Sequence, residues 1–191
     1  RATPTPSAYW NDHIDRPTPA NAGVSGPIAL PVATDAEACG GATCIPQSGT
    51  TQQLDSRADR VMNRLAYRKF ADGHEAMVVT HSVTAGSSVG MRWYELRVDA
   101  GSNLSVFQQG TYAPDSSYRW MGSIAMDQSG DMALGYSVWH AAHFPCIYYT
   151  GGLAGDPPGT MPQGEATMVA GTGSQTSSQR WGDYSDMTVD P

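Results

Sequence analysis

The chain contains a sequence repeat of about 60 residues, and this repeat limits the folds that it can adopt. Residues 117–127 are echoed by residues 178–190, and both stretches contain an Arg-Trp pair at the same place. A Gly-Thr pair precedes each Arg-Trp pair at the same distance, and a weaker third copy lies at residues 60–67. A recurring unit of this kind is typical of a supersecondary structure that buries its apolar side chains by stacking on copies of itself. The sequence therefore predicts an array of similar units.

The apolar residues of each unit follow the period of a β-strand. Large residues alternate with Ala, Gly and Ser along residues 132–138, and large residues occupy the same positions along residues 77–83. Alternate side chains of a strand lie on opposite faces, so each strand is predicted to have one face of large residues. The opposite face of the second unit carries small residues, which let a neighbouring sheet approach closely. Further along, residues 91–97 align with residues 146–150.

Turn signals divide each unit into four predicted strands. Asp, Asn, Gly and Pro cluster at residues 72–73, 100–103, 127–130 and 156–159. The pattern predicts an all-β fold, specifically a β-propeller-like array of four-stranded antiparallel units that is incomplete in this chain. Two complete units do not close a ring. We therefore expect a segment of a longer chain, a ring completed by other copies, or a unit that is not a blade.

The repeat divides the chain into five predicted parts. Residues 56–66 are the best candidate for a helix, but they overlap the repeat and are interpreted as strand. The five parts are a proline-rich extended arm (1–37), a turn-rich lead-in with two cysteines (38–59), a first unit (60–118), a second unit (119–178) and the start of a third (179–191).

Charge, hydropathy and cysteines restrict the location and the partners. A formal net charge of −7 argues against nucleic acid as a partner, since that affinity depends on Lys and Arg. No run of about 18 apolar residues is present, so we expect no insertion into a membrane. Cys39 and Cys44 enclose a loop of small residues that a local disulfide can close, which predicts a secreted, extracellular protein. Two free thiols are the alternative, and Cys146 is left unpaired.

Three segments carry a resemblance to a known group of proteins. Arg-Trp-Met-Gly-Ser-Ile-Ala-Met-Asp at residues 119–127, together with residues 133–137 and 180–185, resembles large, secreted, uncharacterised bacterial proteins. Those proteins are similar to β-propellers of the sialidase or BNR type. The resemblance covers about residues 38–191 and implies a propeller fold without an established activity. The chain departs from sialidases in two ways, since it lacks a strict Asp-box and the Tyr/Phe-Arg-Ile-Pro signature.

One short segment has the composition of a metal site. His140, His143 and Cys146 are spaced three residues apart between two predicted strands. Imidazole and thiolate are good ligands for Zn or Cu, and three such ligands with an open position suit a catalytic metal. The corresponding residues 84–88 of the first unit contain no similar side chains. The alternative is a surface loop with two solvated histidines and a buried cysteine.

The repeated arginines are candidate ligand-binding residues. In a propeller the first strand of each blade lies nearest the axis, so Arg60, Arg119 and Arg180 are predicted to converge on a central channel. There they would bind a carboxylate or a sulfate through paired N–H donors. The alternative is a structural role, in which each arginine packs on the neighbouring tryptophan.

Residues 93–95 are the candidates for glycan chemistry. Glu95 is the candidate catalytic carboxylate, although a glycosidase needs two placed carboxylates. Trp93 and Tyr94 beside it offer a candidate stacking surface for a sugar. The alternative for both aromatic residues is an ordinary place in a sheet.

These features favour an extracellular binding or scaffold module with a glycan or protein partner. A sialidase-like or metal-assisted glycan hydrolase is the first alternative, although the sequence favours a protein that is not an enzyme. A structural component that associates with itself through exposed strand edges is the second alternative.

Overall fold

The computed structural model describes residues 28–141 and 143–190 in full, and the backbone of residues 8–9, 13–14 and 24–25. The described residues form an all-β structure with one short 3₁₀ turn at Ala38–Gly41, which confirms the all-β part of the predicted fold. Among them, no helix has the length and apolar character needed to cross a membrane. The strands are β1 (Ala8–Tyr9), β2 (His13–Ile14), β3 (Val24–Ser25), β4 (Leu30–Pro31), β5 (Thr43–Gln47), β6 (Thr50–Asp55), β7 (Ala66–Lys69), β8 (Glu75–Ala85), β9 (Ser88–Val98), β10 (Leu104–Tyr112), β11 (Tyr118–Met126), β12 (Met132–Trp139), β13 (Cys146–Gly152) and β14 (Ala166–Val169).

Two four-stranded antiparallel sheets form the body of the structure. Sheet one contains β7, β8, β9 and β10 in that order, and sheet two contains β11, β12, β13 and β14. In both sheets each strand pairs with the next along the chain. The four-stranded unit predicted from the repeat is therefore present twice. The pairs β1–β4, β2–β3 and β5–β6 form three small two-stranded sheets.

Aspartates at the predicted turns fix the connections between strands. Asp127 Oδ1 accepts hydrogen bonds from the backbone N–H groups of Ser129 and Asp131 at 2.8 and 3.0 Å. Asp99 Oδ1 makes the same kind of turn two strands earlier, and these backbone donors lower the pKa of Asp99. A short side chain that accepts from its own following backbone favours a tight reversal over a continued strand. The turn signals in the sequence are thus confirmed at these positions.

The first unit begins differently from the prediction. Residues 56–65 do not form a strand, and β7 starts only at Ala66. The strand interpretation of residues 56–66 is therefore wrong for all of them except Ala66. Asp55 Oδ1 accepts a hydrogen bond from the N–H of Arg57, which itself has a left-handed φ of 49°, and together they turn the chain away from β6. The segment still reaches β8, since the N–H of Met62 bonds to the carbonyl of Thr80 at 2.9 Å.

The predicted start of a third unit is likewise not a strand. Residues 170–190 contain bends and one turn and no named strand. They lie against the β5–β6 hairpin, where the N–H of Asp55 bonds to the carbonyl of Gln179 at 2.8 Å. The buried side chain of Gln47 pairs with the backbone of Gln175 through two hydrogen bonds of 2.7 Å, across 128 residues of sequence. The hairpin therefore holds the last part of the described chain.

The two sheets pack face to face through one apolar core. We define the large-residue face of each sheet by Met77 and Val79 in β8 and by Leu134 and Tyr136 in β12, and the opposite face as its small-residue face. The large-residue face of sheet two packs on the small-residue face of sheet one. The shared core contains Ala76, Val78, Met91, Trp93, Ile124, Met126, Met132, Leu134, Tyr136 and Val138. Approach is close, since a Cβ at Gly122 in β11 would lie 2.3 Å from Met91 Cε.

Two further layers cover the body. Leu30 and the partly buried Val32 lie over the large-residue face of sheet one and complete a second core with Tyr94 and Leu96. The predicted arm over residues 1–37 lies mostly outside the fully described residues. A third core surrounds Trp120 and includes Ile45 and Leu54 of the β5–β6 hairpin, Ala38 of the 3₁₀ turn and Val89 of β9.

Cys39 and Cys44 form a disulfide, as the sequence predicted. The bond ties the 3₁₀ turn to β5, and both cysteines pack partly buried against the core around Trp120. Cys146 is a buried free thiol.

Replacing both Cys39 and Cys44 with alanine should lower the free energy of unfolding by about 2 kcal/mol, because closing so short a loop removes roughly that much chain entropy from the unfolded state. Urea unfolding followed by tryptophan fluorescence measures the loss. Reduction of the parent protein with dithiothreitol should reproduce it. A change below about 0.5 kcal/mol in both experiments would contradict a structural role for the bond.

Candidate functional site

A cavity of about 200 Å³ lies where the starts of the three sequence repeats meet. Arg60 and its neighbours come from the first repeat, Met121 from the second, and Arg180 from the third. The lining residues are Arg57, Arg60, Val61, Met62, Asn63, Met121, Arg180, Asp183 and Tyr184. Two of the three repeated arginines therefore share one cavity.

A bend repeated in the backbone forms one wall of the cavity. Met121 and Gly182 stand two residues after the repeated arginines, and both have left-handed backbone conformations, with φ of 51° and 70°. Such a conformation is unusual for a residue with a Cβ, so its recurrence marks a shared local geometry. The two bends touch, since a Cβ at Gly182 would lie 3.3 Å from Met121 Cβ. The repeats thus meet at equivalent positions.

Each of the two repeated arginines in the cavity, Arg60 and Arg180, has an aspartate partner. Arg60 donates from Nε to Asp59 Oδ1 at 2.9 Å, and this bond raises the pKa of Arg60 and lowers the pKa of Asp59. Arg180 donates to Asp183 Oδ2 from both Nε and Nη2, which raises the pKa of Arg180. About half of each arginine side chain remains exposed, at 53% and 49%. The guanidinium groups therefore stay charged and keep free N–H donors.

Two groups at the cavity are available to a ligand, within the described part of the chain. The Oδ1 atom of Asp183 is buried without a hydrogen-bond partner. Buried acceptors are normally satisfied, so a donor from water or a ligand is expected there. Tyr184 is 91% exposed and is the most exposed large hydrophobic side chain described. The cavity thus combines paired charges, free donors and an aromatic face.

Arg119 lies elsewhere, in a buried ion pair. Its side chain is 1% exposed and donates from Nε and Nη2 to the two carboxylate oxygens of Glu165 at 2.7 and 2.8 Å. Its Nη1 also donates to Asp115 at 2.9 Å, and Tyr136 donates its hydroxyl to Glu165 at 2.6 Å. This arrangement holds β11, β12 and the segment before β14 together. Of the three repeated arginines, Arg60 and Arg180 line one cavity and Arg119 does not.

The charges of this cluster reinforce one another. Burial alone would lower the pKa of Arg119, but its bonds to Glu165 and Asp115 raise the pKa above its usual value. The bond from Arg119 holds the pKa of Asp115 well below its usual range. Burial and the bond to Glu165 raise the pKa of Tyr136 far above that of a free tyrosine. Every charged partner is satisfied, so the cluster has a structural character.

Two of the three metal-ligand candidates lie side by side, but the three do not form one group around a common point. The rings of His140 and His143 lie 4.1 Å apart, and burial together with the neighbouring His143 lowers the pKa of His140. The buried Sγ of Cys146 donates to the carbonyl of Phe144 and accepts the N–H of Gly171. No group of three His, Cys, Asp or Glu side chains within residues 28–141 and 143–190 is placed to hold a metal ion.

The candidates for glycan chemistry lie inside the fold. Trp93 and Tyr94 are 1% and 0% exposed, so neither offers a surface to a sugar. Glu95 is also 1% exposed, and its two oxygens accept hydrogen bonds from Arg97 and Gln108 at 2.6 and 2.7 Å. A carboxylate enclosed by two donors links β9 to β10 and has no access to a substrate.

Sequence reasoning missed Arg57, Asn63, Asp183 and Tyr184. The signal lay in the third copy of the repeat, where Asp183 and Tyr184 replace the small Gly122 and Ser123 of the second copy. The first copy also carries large polar residues at these two positions, Asn63 and Arg64, so only the second copy is small there. Side chains that differ between copies indicate a role that the unit does not need for folding.

Comparisons with known proteins leave the site without a relative. The chain matches no protein-family model, no curated protein and no solved structure.

Proposed function

We propose that the protein is an extracellular, repeat-built binding module of propeller type that takes a carbohydrate in the cavity between Arg60 and Arg180. The observation that carries the proposal is Tyr184, whose exposed ring stands beside a cavity with free guanidinium donors. Sugars present both hydroxyl groups and apolar C–H faces, so they suit sites that combine planar polar groups with an aromatic side chain. The aspartate partners keep the site close to neutral, which favours an uncharged sugar over an isolated anion.

The two sheets support the architectural part of the proposal. Each is a four-stranded antiparallel meander, and the large-residue face of one packs on the small-residue face of the other. Consecutive propeller blades have this relation. The cavity then corresponds to the region near the axis, where the starts of successive units meet. The resemblance to sialidase-type or BNR-type propellers stays a proposal with the same support.

The disulfide supports the location. Structural disulfides persist in oxidising compartments and are rare in the cytosol. Cys39 and Cys44 are therefore compatible with a secreted protein, which is where a glycan-binding module meets its ligands.

Replacing Tyr184 with alanine should weaken glycan binding about tenfold, because one aromatic stacking contact is worth roughly that much. The parent protein is first applied to an array of neutral and acidic oligosaccharides, and the best ligand is then titrated by calorimetry. Tyr67→Ala serves as the control, since Tyr67 is 57% exposed but does not line the cavity. Equal losses in both variants, or no binding to any oligosaccharide, would contradict the proposal.

A further inference from the structure

We propose that the small-residue face of sheet two is a docking surface for a further four-stranded unit of the same repeat. This inference rests on the proposed repeat architecture and is independent of the ligand. The surface is the side of sheet two that faces away from sheet one. Its members are Ala133, Gly135, Ser137, Ile147, Tyr149, Ala166 and Val169, which the strand pairing places on one face.

The pairing of the strands shows which residues of sheet one are equivalent to those of the proposed surface. In each sheet two large residues of the third strand pair with small residues of the second strand. The pairs are Met91–Ser82 and Trp93–Thr80 in sheet one, and Ile147–Ser137 and Tyr149–Gly135 in sheet two. Ile147 and Tyr149 are thus the structural counterparts of Met91 and Trp93. The sequence alignment had placed residue 91 opposite residue 146, and this one-residue shift assigned the side chains to the wrong face.

The counterparts differ in burial. Met91 and Trp93 are 0% and 1% exposed, because the large-residue face of sheet two covers them. Ile147 and Tyr149 are 39% and 42% exposed, and Val169 beside them is 51% exposed. The same positions in the same unit are therefore covered in one sheet and open in the other.

The start of the third repeat already rests on this face. Trp181 Nε1 donates to Ser137 Oγ at 3.0 Å, and the N–H of Met187 donates to Ser123 Oγ at 2.7 Å. A Cβ at Gly135 would lie 2.8 Å from Met187 Cε, so the segment is in close contact with the small residues. In the same way β11, the start of the second repeat, rests on sheet one, where a Cβ at Gly122 would meet Met91. The contact between sheets one and two thus continues one unit further along the chain.

The side chains on the small-residue face of sheet two are suited to packing against the large-residue face of another unit of this repeat. They are apolar or small, and none is charged. A second copy of this chain is a poor occupant, because its exposed sheet would have to present a large-residue face. The large-residue face of sheet one is covered by Leu30 and Val32, and the large-residue face of sheet two is covered by sheet one. Neither face is therefore available to a second copy. The occupant is therefore a further unit that begins with residues 179–190.

Cysteine labelling of an extended chain tests the inference. Tyr149→Cys is introduced into two chains, the present one and one that is extended after residue 190 by a copy of residues 130–178. In the extended chain, residues 179–190 take the place that residues 118–129 have at the start of sheet two. Labelling by a maleimide should be at least tenfold slower in the extended chain. Phe107→Cys is the matched control, because Phe107 is 51% exposed on β10 and outside the proposed surface. Its labelling rate should be the same in both chains.

Three outcomes would overturn the inference. The first is an unchanged labelling rate at position 149. The second is an added unit that hydrogen exchange shows to be unfolded, because the same sequence folds as sheet two when it rests on sheet one. The third is protection of position 149 in the present chain through dimer formation, detected by sedimentation, which would make a second copy the occupant. Glycan binding is titrated on both chains, so a failure of the proposed ligand is seen separately.

Discussion

Replacing Glu165 with glutamine should lower the free energy of unfolding by about 3–5 kcal/mol, because it leaves the guanidinium of Arg119 buried without its main partner. Arg119 is 1% exposed, and two of its three donor nitrogens bond to Glu165. The remaining charged partner, Asp115, is 56% exposed and compensates the charge only weakly. Urea unfolding followed by tryptophan fluorescence measures the loss.

Asp115→Asn is the control for the charge cluster. Its carboxylate is mostly exposed, so its removal should cost no more than about 1 kcal/mol. If Asp115→Asn lowers the free energy of unfolding as much as Glu165→Gln does, the buried Arg119–Glu165 pair is not the main source of the cluster's stability. Arg119→Met combined with Glu165→Met should be more stable than Glu165→Gln alone, since no unpaired charge then remains in the core.

Replacing Gly171 with alanine should lower the free energy of unfolding by about 3 kcal/mol, because the added methyl group overlaps the backbone. Its Cβ would lie 2.0 Å from the carbonyl oxygen of Pro145. A backbone carbonyl in a packed loop cannot rotate away as the end of a flexible side chain does. Thermal unfolding by circular dichroism measures the loss.

Gly173→Ala is the matched control for this substitution. It lies two residues away, and a Cβ there has no atom within 4 Å. Gly110→Ala should behave like Gly171→Ala, since its Cβ would lie 2.3 Å from the carbonyl oxygen of Gly159. Equal stability of the Gly171→Ala and Gly173→Ala variants would refute the close approach. Gly110 and Gly171 are the repeated glycines of the two Gly-Thr pairs, so their recurrence has a steric cause.

The strand content of the two complete units could be predicted from the sequence, because period-two alternation and turn residues are local signals. The long alternation of β8 and β12 and the aspartate turn at Asp127 required no tertiary information. The first strand of the first unit could not be predicted in the same way. There the turn set by Asp55 and Arg57 overrides the similarity to residues 119–126.

The candidate site was only partly accessible to sequence reasoning. Repetition placed Arg60 and Arg180 near each other, because equivalent residues of stacked units lie on one side of the array. The same reasoning failed for Arg119, whose orientation depends on Glu165, a carboxylate 46 residues further along the chain. The burial of Trp93 and Glu95 was not visible either, since it depends on which face of β9 meets the second sheet.

The pairing of Gln47 with Gln175 sets the order in which this protein can fold. A contact across 128 residues closes most of the chain into one loop, and such non-local contacts slow folding to milliseconds or seconds. During synthesis at about 5–20 residues per second, the hairpin waits roughly 6–25 seconds for its partner segment to be made. Over that interval the edge of β6 that later bonds to Gln179 is unpaired, while β8 and β9 are already free to form their hairpin. We therefore expect refolding in two observable phases, with the sheets preceding the attachment of residues 171–180.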